Sequence, residues 1–238
     1  MERKIAPKRS DPKKHTKKSQ FDNMEVYRQL RTNIEYSSFN KDIQVICVTS
    51  SNPAEGKSSV ASNLATVAIA KYEKVLLIDC DLRKPVQHKI SKVSNKLGIS
   101  NLMKEKSEID LEIGGYFQKF KDNSTDGKLY VLTSGKSVPN PQEMLASDRF
   151  KELIEKFREM FDYIIIDCPP LNAVADAIPV SSIVDGTLFV VSAMDTAKQE
   201  AKNALTMLQR NGANVLGCVL TKVDITSKSY YSYYGNYS

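Results

Sequence analysis

The sequence lacks any long hydrophobic run. No stretch approaches the roughly 18 apolar residues that a helix needs to cross a bilayer, and no apolar signal-peptide region follows the Lys-rich start. The four cysteines (Cys47, Cys80, Cys168 and Cys218) are dispersed and have no metal-ligand spacing. We interpret them as small buried thiols in a reducing compartment. These absences favour a cytoplasmic protein.

The body of the chain also lacks net charge, although the whole chain carries +6. Residues 1–20 hold eight Lys/Arg against two acidic residues, and the remaining 218 residues hold 26 basic and 26 acidic side chains. A neutral body disfavours nucleic-acid binding. We interpret residues 1–21 as a basic, disordered arm. It is either a solubilising tail or a segment attracted to an anionic membrane surface or an acidic partner.

What the sequence does contain is a regular alternation of strand and helix patterns. The length of 238 residues and the hydrophobic fraction of 41% fit one α/β domain, which we place at residues 22–224. Helical patterns separate most of the short apolar runs, and residues 85–127 are less regular. We therefore predict a mostly parallel sheet with helices on both faces and a ligand site at the carboxyl ends of its strands. The apolar runs are 43–50, 74–81, 128–135, 163–170, 186–193 and 214–222.

The pattern of residues 22–39 predicts an amphipathic helix, with Asp22 or Asn23 as its N-cap. One stripe is apolar and the opposite stripe is charged. A charged stripe is usually a solvated face, so this pattern alone assigns no function. The apolar stripe contains Val26, Tyr27, Leu30 and Ile34, and the charged stripe contains Glu25, Arg28, Arg31 and Glu35.

The first predicted strand runs into the sequence SSNPAEGKSS, which matches the end of the phosphate loop GxxxxGK[ST]. Gly56, Lys57 and Ser58 fit the motif, and Ser51 stands where its first glycine would be. The strand before and the helix after supply the required context. Backbone N–H groups would cradle phosphates, Lys57 would reach the β- and γ-phosphates, and the Ser58 hydroxyl would ligate Mg²⁺.

Two further strands end in aspartate at the same predicted edge of the sheet. The sequence VLLIDCD provides Asp79 and Asp81, and YIIIDCPP provides Asp167. A carboxylate after an apolar strand is costly unless it faces a site, and Mg²⁺ on phosphates takes one or two carboxylates. One aspartate could therefore hold metal while another accepts a proton. Together the three motifs predict a nucleoside-triphosphate site.

The identity of the base stays open at this point. The sequence LTKVD at residues 220–224 resembles the guanine-reading motif [NT]KxD, in which Asp224 would pair with the base. A four-residue match is weak, and the other motifs of GTPases are missing.

The C-terminal residues 225–238 contain five tyrosines among Ser, Gly and Asn, in a spacing that fits neither a buried strand nor an amphipathic helix. We interpret this segment as a flexible tail. Its tyrosines are Tyr230, Tyr231, Tyr233, Tyr234 and Tyr237.

From residue 22 to the end, the chain resembles the bacterial tyrosine kinases of capsular and exopolysaccharide synthesis. The resemblance is carried by the phosphate loop, LLIDCDLRKP, YIIIDCPP, TSGKSVPNPQEMLASDRF, EVYRQLRTNIEYSS and the tyrosine-rich end. Septum-placing and partitioning ATPases share the nucleotide motifs but not this tail. Those ATPases also carry a signature lysine where Asn52 stands, so their face-to-face dimer is disfavoured here.

The resemblance implies ATP as nucleotide, Mg²⁺ as cofactor and a role for each motif residue. It implies that Lys57, Asp79, Asp81 and Asp167 are catalytic, with Asp79 activating the tyrosine hydroxyl and Ser58, Asp81 and Asp167 arranging the metal. It implies a subunit interface at Glu25, Arg28 and Arg31. The residues that would bind ATP are Ala54, Glu55, Gly56, Lys57, Ser58 and Ser59.

The function implied by the resemblance is phosphorylation of the tail tyrosines, mainly between subunits of a ring-shaped homo-oligomer. It further implies a membrane activator whose cytoplasmic segment recruits the kinase to the inner face of the membrane, and other phosphorylated proteins are possible substrates. The alternative is a P-loop ATPase or GTPase switch whose tail is an adhesive surface and not a substrate.

Overall fold

The computed structural model describes residues 13–37, 42–105, 115–120 and 126–224, with side chains from residue 24 onward. Helices and short sheet strands alternate through these ranges. The strands are β1 (Val45–Ser50), β2 (Lys74–Asp79), β3 (Phe117–Phe120), β4 (Lys128–Leu132), β5 (Tyr163–Asp167), β6 (Gly186–Ser192) and β7 (Val215–Thr221). The helices are α1 (Lys13–Tyr36), α2 (Lys57–Ala68), α3 (Gln87–Ile90), α4 (Ile99–Leu102), α5 (Pro141–Leu145), α6 (Asp148–Met160), α7 (Ala177–Ser181) and α8 (Lys198–Arg210).

The strands form one sheet in the order β3-β4-β2-β5-β1-β6-β7. Every neighbouring pair is parallel except β3 with β4, which is antiparallel. The predicted mostly parallel α/β fold is therefore confirmed. Because β1 lies between β5 and β6 while β2 lies on the far side of β5, the carboxyl ends of β1, β2 and β5 meet at the centre of one edge.

Each face of the sheet carries its own layer of helices. Alternate residues of β1 point to opposite faces, so that Ile46 packs towards α1 and α2 while Val45 packs towards α6 and α8. The central strands are buried on both faces, which explains their nearly continuous apolar sequences. Phe150 and Phe157 of α6 are completely buried in one of these layers.

Several element bounds differ from the predictions. Helix α1 begins at Lys13 and ends at Tyr36, so Asp22 and Asn23 lie inside it and the predicted N-cap is wrong. The segment that follows Pro12 contains neither proline nor glycine, and its lysines favour helix. Residues 13–21 are therefore helical in the structure, while residues 1–12 lie outside the described ranges.

The sequence pattern of residues 141–161 is typical of one continuous helix, but the structure divides it into α5 and α6 at Ser147. The Ser147 hydroxyl accepts the Phe150 N–H at the start of α6. The irregular region contains the antiparallel strand β3, which the sequence pattern did not predict. Cys218 is exposed because β7 is an edge strand, so the prediction of a buried thiol is wrong at this position. In the described part of the chain, no helix combines the length and the apolar character required to cross a membrane.

Candidate active site

The phosphate loop connects β1 to α2 and contains two residues with left-handed backbone. Ala54 has φ 63° and Gly56 has φ 92°, a region that favours glycine and is uncommon for alanine. Helix α2 begins directly after Gly56, at Lys57. The N–H groups in the first turn of a helix lack partners within it, so this turn is suited to bind phosphate.

Hydrogen bonds from Thr196 and Thr221 anchor the phosphate loop at Glu55. The Glu55 carbonyl accepts a hydrogen bond from Thr221 Oγ1 at 2.6 Å. The buried Glu55 carboxylate accepts hydrogen bonds from Ser51 Oγ at 3.0 Å and from the Thr196 hydroxyl. Glu55 thus supports the loop with its side chain, and the loop is anchored to the end of β7. The sequence motif predicted neither contact.

The predicted aspartates converge next to the phosphate loop. Asp79 and Asp167 pair in register at the ends of β2 and β5. Lys57 Nζ lies 3.1 Å from Asp81 Oδ2 and 3.4 Å from Asp167 Oδ1, and it donates to Ser58 Oγ at 3.1 Å. The four charged side chains are buried. The structure therefore brings together all five residues that the motifs singled out for catalysis and metal binding.

The charges in this cluster are unbalanced, with three carboxylates and one ammonium group. Burial lowers the pKa of Lys57, but the carboxylates of Asp167 and Asp81 outweigh that effect and raise it overall. Burial raises the pKa of Asp167, and burial together with the charge of Asp167 raises the pKa of Asp79 to about 7. Such a cluster favours a further cation, because buried negative charges require compensation.

The two aspartates of the second motif have different surroundings. The Asp79 carboxylate is inaccessible to solvent and accepts three backbone N–H groups, from Asp81 at 3.2 Å, Val86 at 3.0 Å and Gln87 at 2.9 Å. Asp81 accepts the Lys84 N–H at 2.9 Å and contacts Lys57. Asp79 therefore organises the turn that follows β2, and its role as proton acceptor stays a prediction.

The residues of the cluster fit Mg²⁺ when it binds together with a nucleotide. Within the described ranges, no three His, Cys, Asp or Glu side chains are arranged to hold a metal ion by themselves. Mg²⁺ usually takes one or two carboxylates and completes its coordination with phosphate oxygens and water. Ser58, Asp81 and Asp167 provide one hydroxyl and two carboxylates of the required chemistry.

Comparison with known proteins decides which family this site represents. The profile of a family described as an AAA domain matches residues 43–211. The tyrosine-protein kinase YwqD of Bacillus subtilis (strain 168) is 38% identical over 213 residues, which cover 90% of this chain and 86% of YwqD. The tyrosine-protein kinase CpsD of Streptococcus pneumoniae is 35% identical over 216 residues, covering 90% of this chain and 91% of CpsD. The chain belongs to the bacterial tyrosine-protein kinases.

The structural comparison agrees with this assignment. The crystal structure of the chimerical protein CapA2B2 matches the kinase with a TM-score of 0.74 and 34% sequence identity, and the match covers 82% of this chain and 83% of that one. The predicted family and the predicted P-loop fold are therefore confirmed. Membership of this family implies that the kinase binds a nucleotide.

Asn52 occupies the position of the signature lysine of the partitioning ATPases. In this kinase Asn52 Nδ2 donates to Glu200 Oε2 at 2.8 Å, and Asn172 Nδ2 donates to Asn52 Oδ1 at 3.1 Å. The start of the phosphate loop is thus connected to the segment after β5 and to α8 of the same chain.

One part of the charged stripe of α1 faces solvent, and the other part packs against the rest of the protein. Glu25 and Arg28 form an exposed ion pair at 2.9 Å. Arg31 instead donates to the Val67 carbonyl at 3.1 Å, and it forms an ion pair with Glu35 at 3.4 Å. The charged stripe is therefore not solvated throughout, because Arg31 contacts the end of α2 and Glu35 contacts Lys71 and Tyr72, which follow it. The subunit interface stays a prediction.

The remaining predicted residues lie at the rim of the site or outside the described ranges. Ser59 is exposed in the first turn of α2. Lys222, two residues before Asp224 in the guanine-type motif, has φ 53° and pairs with Asp195 at 2.6 Å. The identity of the base therefore stays open on these contacts. The predicted phosphorylation sites Tyr230, Tyr231, Tyr233, Tyr234 and Tyr237 lie outside the described residues.

Proposed function

We propose that this kinase transfers the γ-phosphate of ATP to the tyrosines of its own C-terminal cluster, mainly on the neighbouring subunit of a ring. We further propose that it regulates capsular or exopolysaccharide synthesis together with a membrane activator. The observation that carries the proposal is the buried cluster of Lys57 with Asp79, Asp81 and Asp167 at the first turn of α2. This cluster combines phosphate-binding geometry with excess carboxylate.

The proposed chemistry is an in-line transfer. The tyrosine oxygen bonds to the γ-phosphorus while the bond from that phosphorus to the β,γ-bridging oxygen breaks, and ADP leaves. Lys57 contacts the β- and γ-phosphates, and Asp79 accepts the hydroxyl proton. Ser58, Asp81 and Asp167 hold Mg²⁺, which neutralises phosphate charge when bound. The Asp79 pKa of about 7 supports proton transfer near neutral pH.

The position of β7 supports the tail as substrate. Thr221, its last residue, contacts the phosphate loop at Glu55, so the chain leaves the sheet next to the proposed site. From Asp224 the chain can span at most about 20 Å to Tyr230 and about 45 Å to Tyr237. These lengths permit transfer within one subunit and between neighbours. The preference for the neighbour comes from the family resemblance.

Two surfaces support the proposed assembly at a membrane. The exposed pair Glu25 and Arg28 on α1 is available for contact with a neighbouring subunit. The basic residues 1–21 are suited to an anionic membrane surface, and attraction is worth about 1 kcal/mol per basic residue close to such a surface. The cytoplasmic segment of a membrane protein would then act as the activator.

Phosphorylation would change the charge of the tail. Residues 222–238 carry Lys222, Asp224 and Lys228, and each phosphotyrosine adds about −1.5 to −2. Five phosphotyrosines would take the segment from a net +1 to roughly −7 to −9. Such a tail is repelled from a site that holds ATP and from other tails, so the ring loosens. An unchanged oligomer size after complete phosphorylation would contradict this release.

The decisive experiment incubates the purified protein with labelled ATP or labelled GTP and maps phosphotyrosine by mass spectrometry. We expect label from ATP on the tail tyrosines. A variant with all five tail tyrosines replaced by Phe should lose most labelling and keep ATP binding. Release of free phosphate without protein labelling would favour the alternative, a P-loop ATPase or GTPase switch with an adhesive tail.

A further inference from the structure

One residue that no motif includes contacts all three nucleotide motifs. Gln87 begins α3 and is completely buried. Its side-chain Nε2 donates to Asp167 Oδ2 at 2.8 Å and to the Ser58 carbonyl at 3.0 Å. Its backbone N–H donates to Asp79 Oδ2 at 2.9 Å. Gln87 therefore connects the first turn of α2 with the ends of β2 and β5.

The orientation of the Gln87 amide follows from these partners. The Ser58 carbonyl and the Asp167 carboxylate are both acceptors, so the amide nitrogen must face them. The amide oxygen Oε1 is then buried, and it has no hydrogen-bond partner among the described residues. An unpaired buried acceptor is costly. The amide therefore combines two donated hydrogen bonds with one unpaired oxygen.

Gln87 also determines which oxygen of Asp167 faces the site. Oδ2 is taken by the Gln87 amide, while Oδ1 is turned towards Lys57 at 3.4 Å. At the same time the bond to the Ser58 carbonyl fixes the turn that carries the Ser58 hydroxyl. The Gln87 amide thus orients both the Ser58 hydroxyl on α2 and the Asp167 carboxylate on β5, the two groups that would hold Mg²⁺.

We propose that Gln87 is a positioning residue that fixes the spacing between Ser58 and Asp167 and thereby the affinity of the kinase for Mg²⁺ with nucleotide. This inference rests on the proposed function, because it requires both residues to be metal ligands. Replacing a residue that hydrogen-bonds to a metal ligand and orients it typically lowers metal affinity by about 10- to 100-fold. Gln87 does not touch the reacting atoms, so it acts through its neighbours.

The experiment measures binding of a fluorescent ADP analogue to the full chain, once with Mg²⁺ and once with EDTA. The ratio of the two affinities is the gain due to Mg²⁺. In Gln87→Met we expect this gain to fall at least about tenfold, while the affinity in EDTA stays within about twofold of the original, which would leave the P-loop contacts to phosphate intact. Gln87→Asn keeps the amide but is one methylene too short, so it should also lose the gain.

Gln44→Met is the matched control. Gln44 Nε2 likewise donates to two acceptors, the Arg158 carbonyl at 2.8 Å and the Phe161 carbonyl at 2.9 Å, but it lies at the opposite end of the sheet. We expect Gln44→Met to lower thermal stability and to leave the gain from Mg²⁺ unchanged. This control separates loss of hydrogen bonds in general from loss of metal positioning.

The possible outcomes distinguish the inference from the function on which it rests. If the original protein and Gln44→Met gain affinity from Mg²⁺ and both Gln87 variants gain as much, the role of Gln87 is wrong. An equal loss of affinity in EDTA and in Mg²⁺ would also overturn it, since that pattern reflects a structural defect. If the original protein gains nothing from Mg²⁺, the proposed function itself fails, and the inference with it.

Discussion

The two ends of the parallel sheet carry polar networks that differ in charge balance. The network at the carboxyl end has excess negative charge, whereas the network at the amino end pairs Arg158 with Asp185. At the carboxyl end, Lys57 forms ion pairs with Asp81 and Asp167, and a third carboxylate, Asp79, lies in register beside Asp167. At the amino end, Arg158 forms two hydrogen bonds to the partly buried Asp185 at 2.8 Å and 3.0 Å. Its second ion-pair partner, Glu155 at 3.3 Å, is exposed to solvent.

The pKa shifts of Asp185 and Asp79 reflect this difference in charge balance. Burial raises the pKa of Asp185, but hydrogen bonds from Arg158 and from the Val45 N–H outweigh it and lower the pKa overall. Burial and the charge of Asp167 raise the pKa of Asp79. The balanced network therefore stabilises the fold as it stands, whereas the unbalanced one becomes favourable when it receives a ligand. Charge imbalance, and not burial alone, distinguishes a site from a structural network.

The largest expected effect comes from removing the cation of each network. Lys57→Met should abolish tyrosine phosphorylation, a loss of at least about 100-fold, because the phosphates lose their charge partner. Arg158→Met should keep phosphorylation and lower the free energy of unfolding by about 3 kcal/mol, since Asp185 is left half-buried without its partner. Phosphotyrosine labelling and urea unfolding measure the two quantities.

These variants test the comparison in both directions. Lys57→Met should still fold, as circular dichroism would show. Retained self-phosphorylation in purified Lys57→Met would contradict the assigned site. Loss of phosphorylation in a folded Arg158→Met would contradict the purely structural role of the amino-end network.

A smaller effect is expected from ligand binding. Mg²⁺ with ADP at 100 times its dissociation constant should stabilise the protein by about 2.7 kcal/mol. Asp81→Asn should lose most of this gain, because it removes a proposed metal ligand beside Lys57. Asp185→Asn should keep the gain while it lowers the starting stability. Thermal melts with and without nucleotide provide the measurement, and an equal gain in Asp81→Asn would argue against its role.

The two networks should also respond oppositely to pH. The folded-state pKa of Asp79 is raised to about 7, so the folded protein binds more protons than the unfolded chain between about pH 4 and 7. Stability without nucleotide should therefore increase as the pH falls through this window, by at most about 1.4 kcal/mol per pH unit for one proton.

Asp185 has a lowered pKa in the folded state, so its contribution is complete above its unfolded pKa and is lost as the pH falls through the folded value. Stability should consequently decrease below about pH 4. Asp79→Asn should reduce the pH dependence of the free energy of unfolding between about pH 4 and 7. Asp185→Asn should reduce its pH dependence below about pH 4. Unfolding curves measured across the pH range would show whether each variant changes only the pH interval assigned to its residue.

The smallest effect on stability is expected at α1. The exposed pair of Arg28 with Glu25 contributes about 0–1 kcal/mol, so Arg28→Glu should leave the melting temperature nearly unchanged. If this surface is the subunit interface, the same variant should dissociate the oligomer in light scattering. Arg31→Met should instead lower stability, because Arg31 is bonded to Val67 and Glu35. An intact oligomer in Arg28→Glu would contradict the interface.

Local sequence determined much of the fold and the centre of the site. Continuous apolar runs that end in aspartate predict parallel strands, and parallel strands place Asp79 and Asp167 at one edge. The start of α1 at Lys13 was not predictable from an apolar stripe, because lysine-rich helix continues beyond it. The division between Arg28 and Arg31 depends on where α2 ends, which no pattern within α1 encodes.

The chemical groups of this kinase are readable from its residues alone: a phosphate loop, three carboxylates at strand ends and a cluster of C-terminal tyrosines. The contacts that hold these groups in place depend on how the chain is folded. Gln87 contacts Ser58 and Asp167, and Glu55 contacts Thr196 and Thr221. These contacts join residues 29 to 166 positions apart in the chain. Periodicity and motif spacing report local geometry, whereas such pairings arise only when the strands are assembled into one sheet.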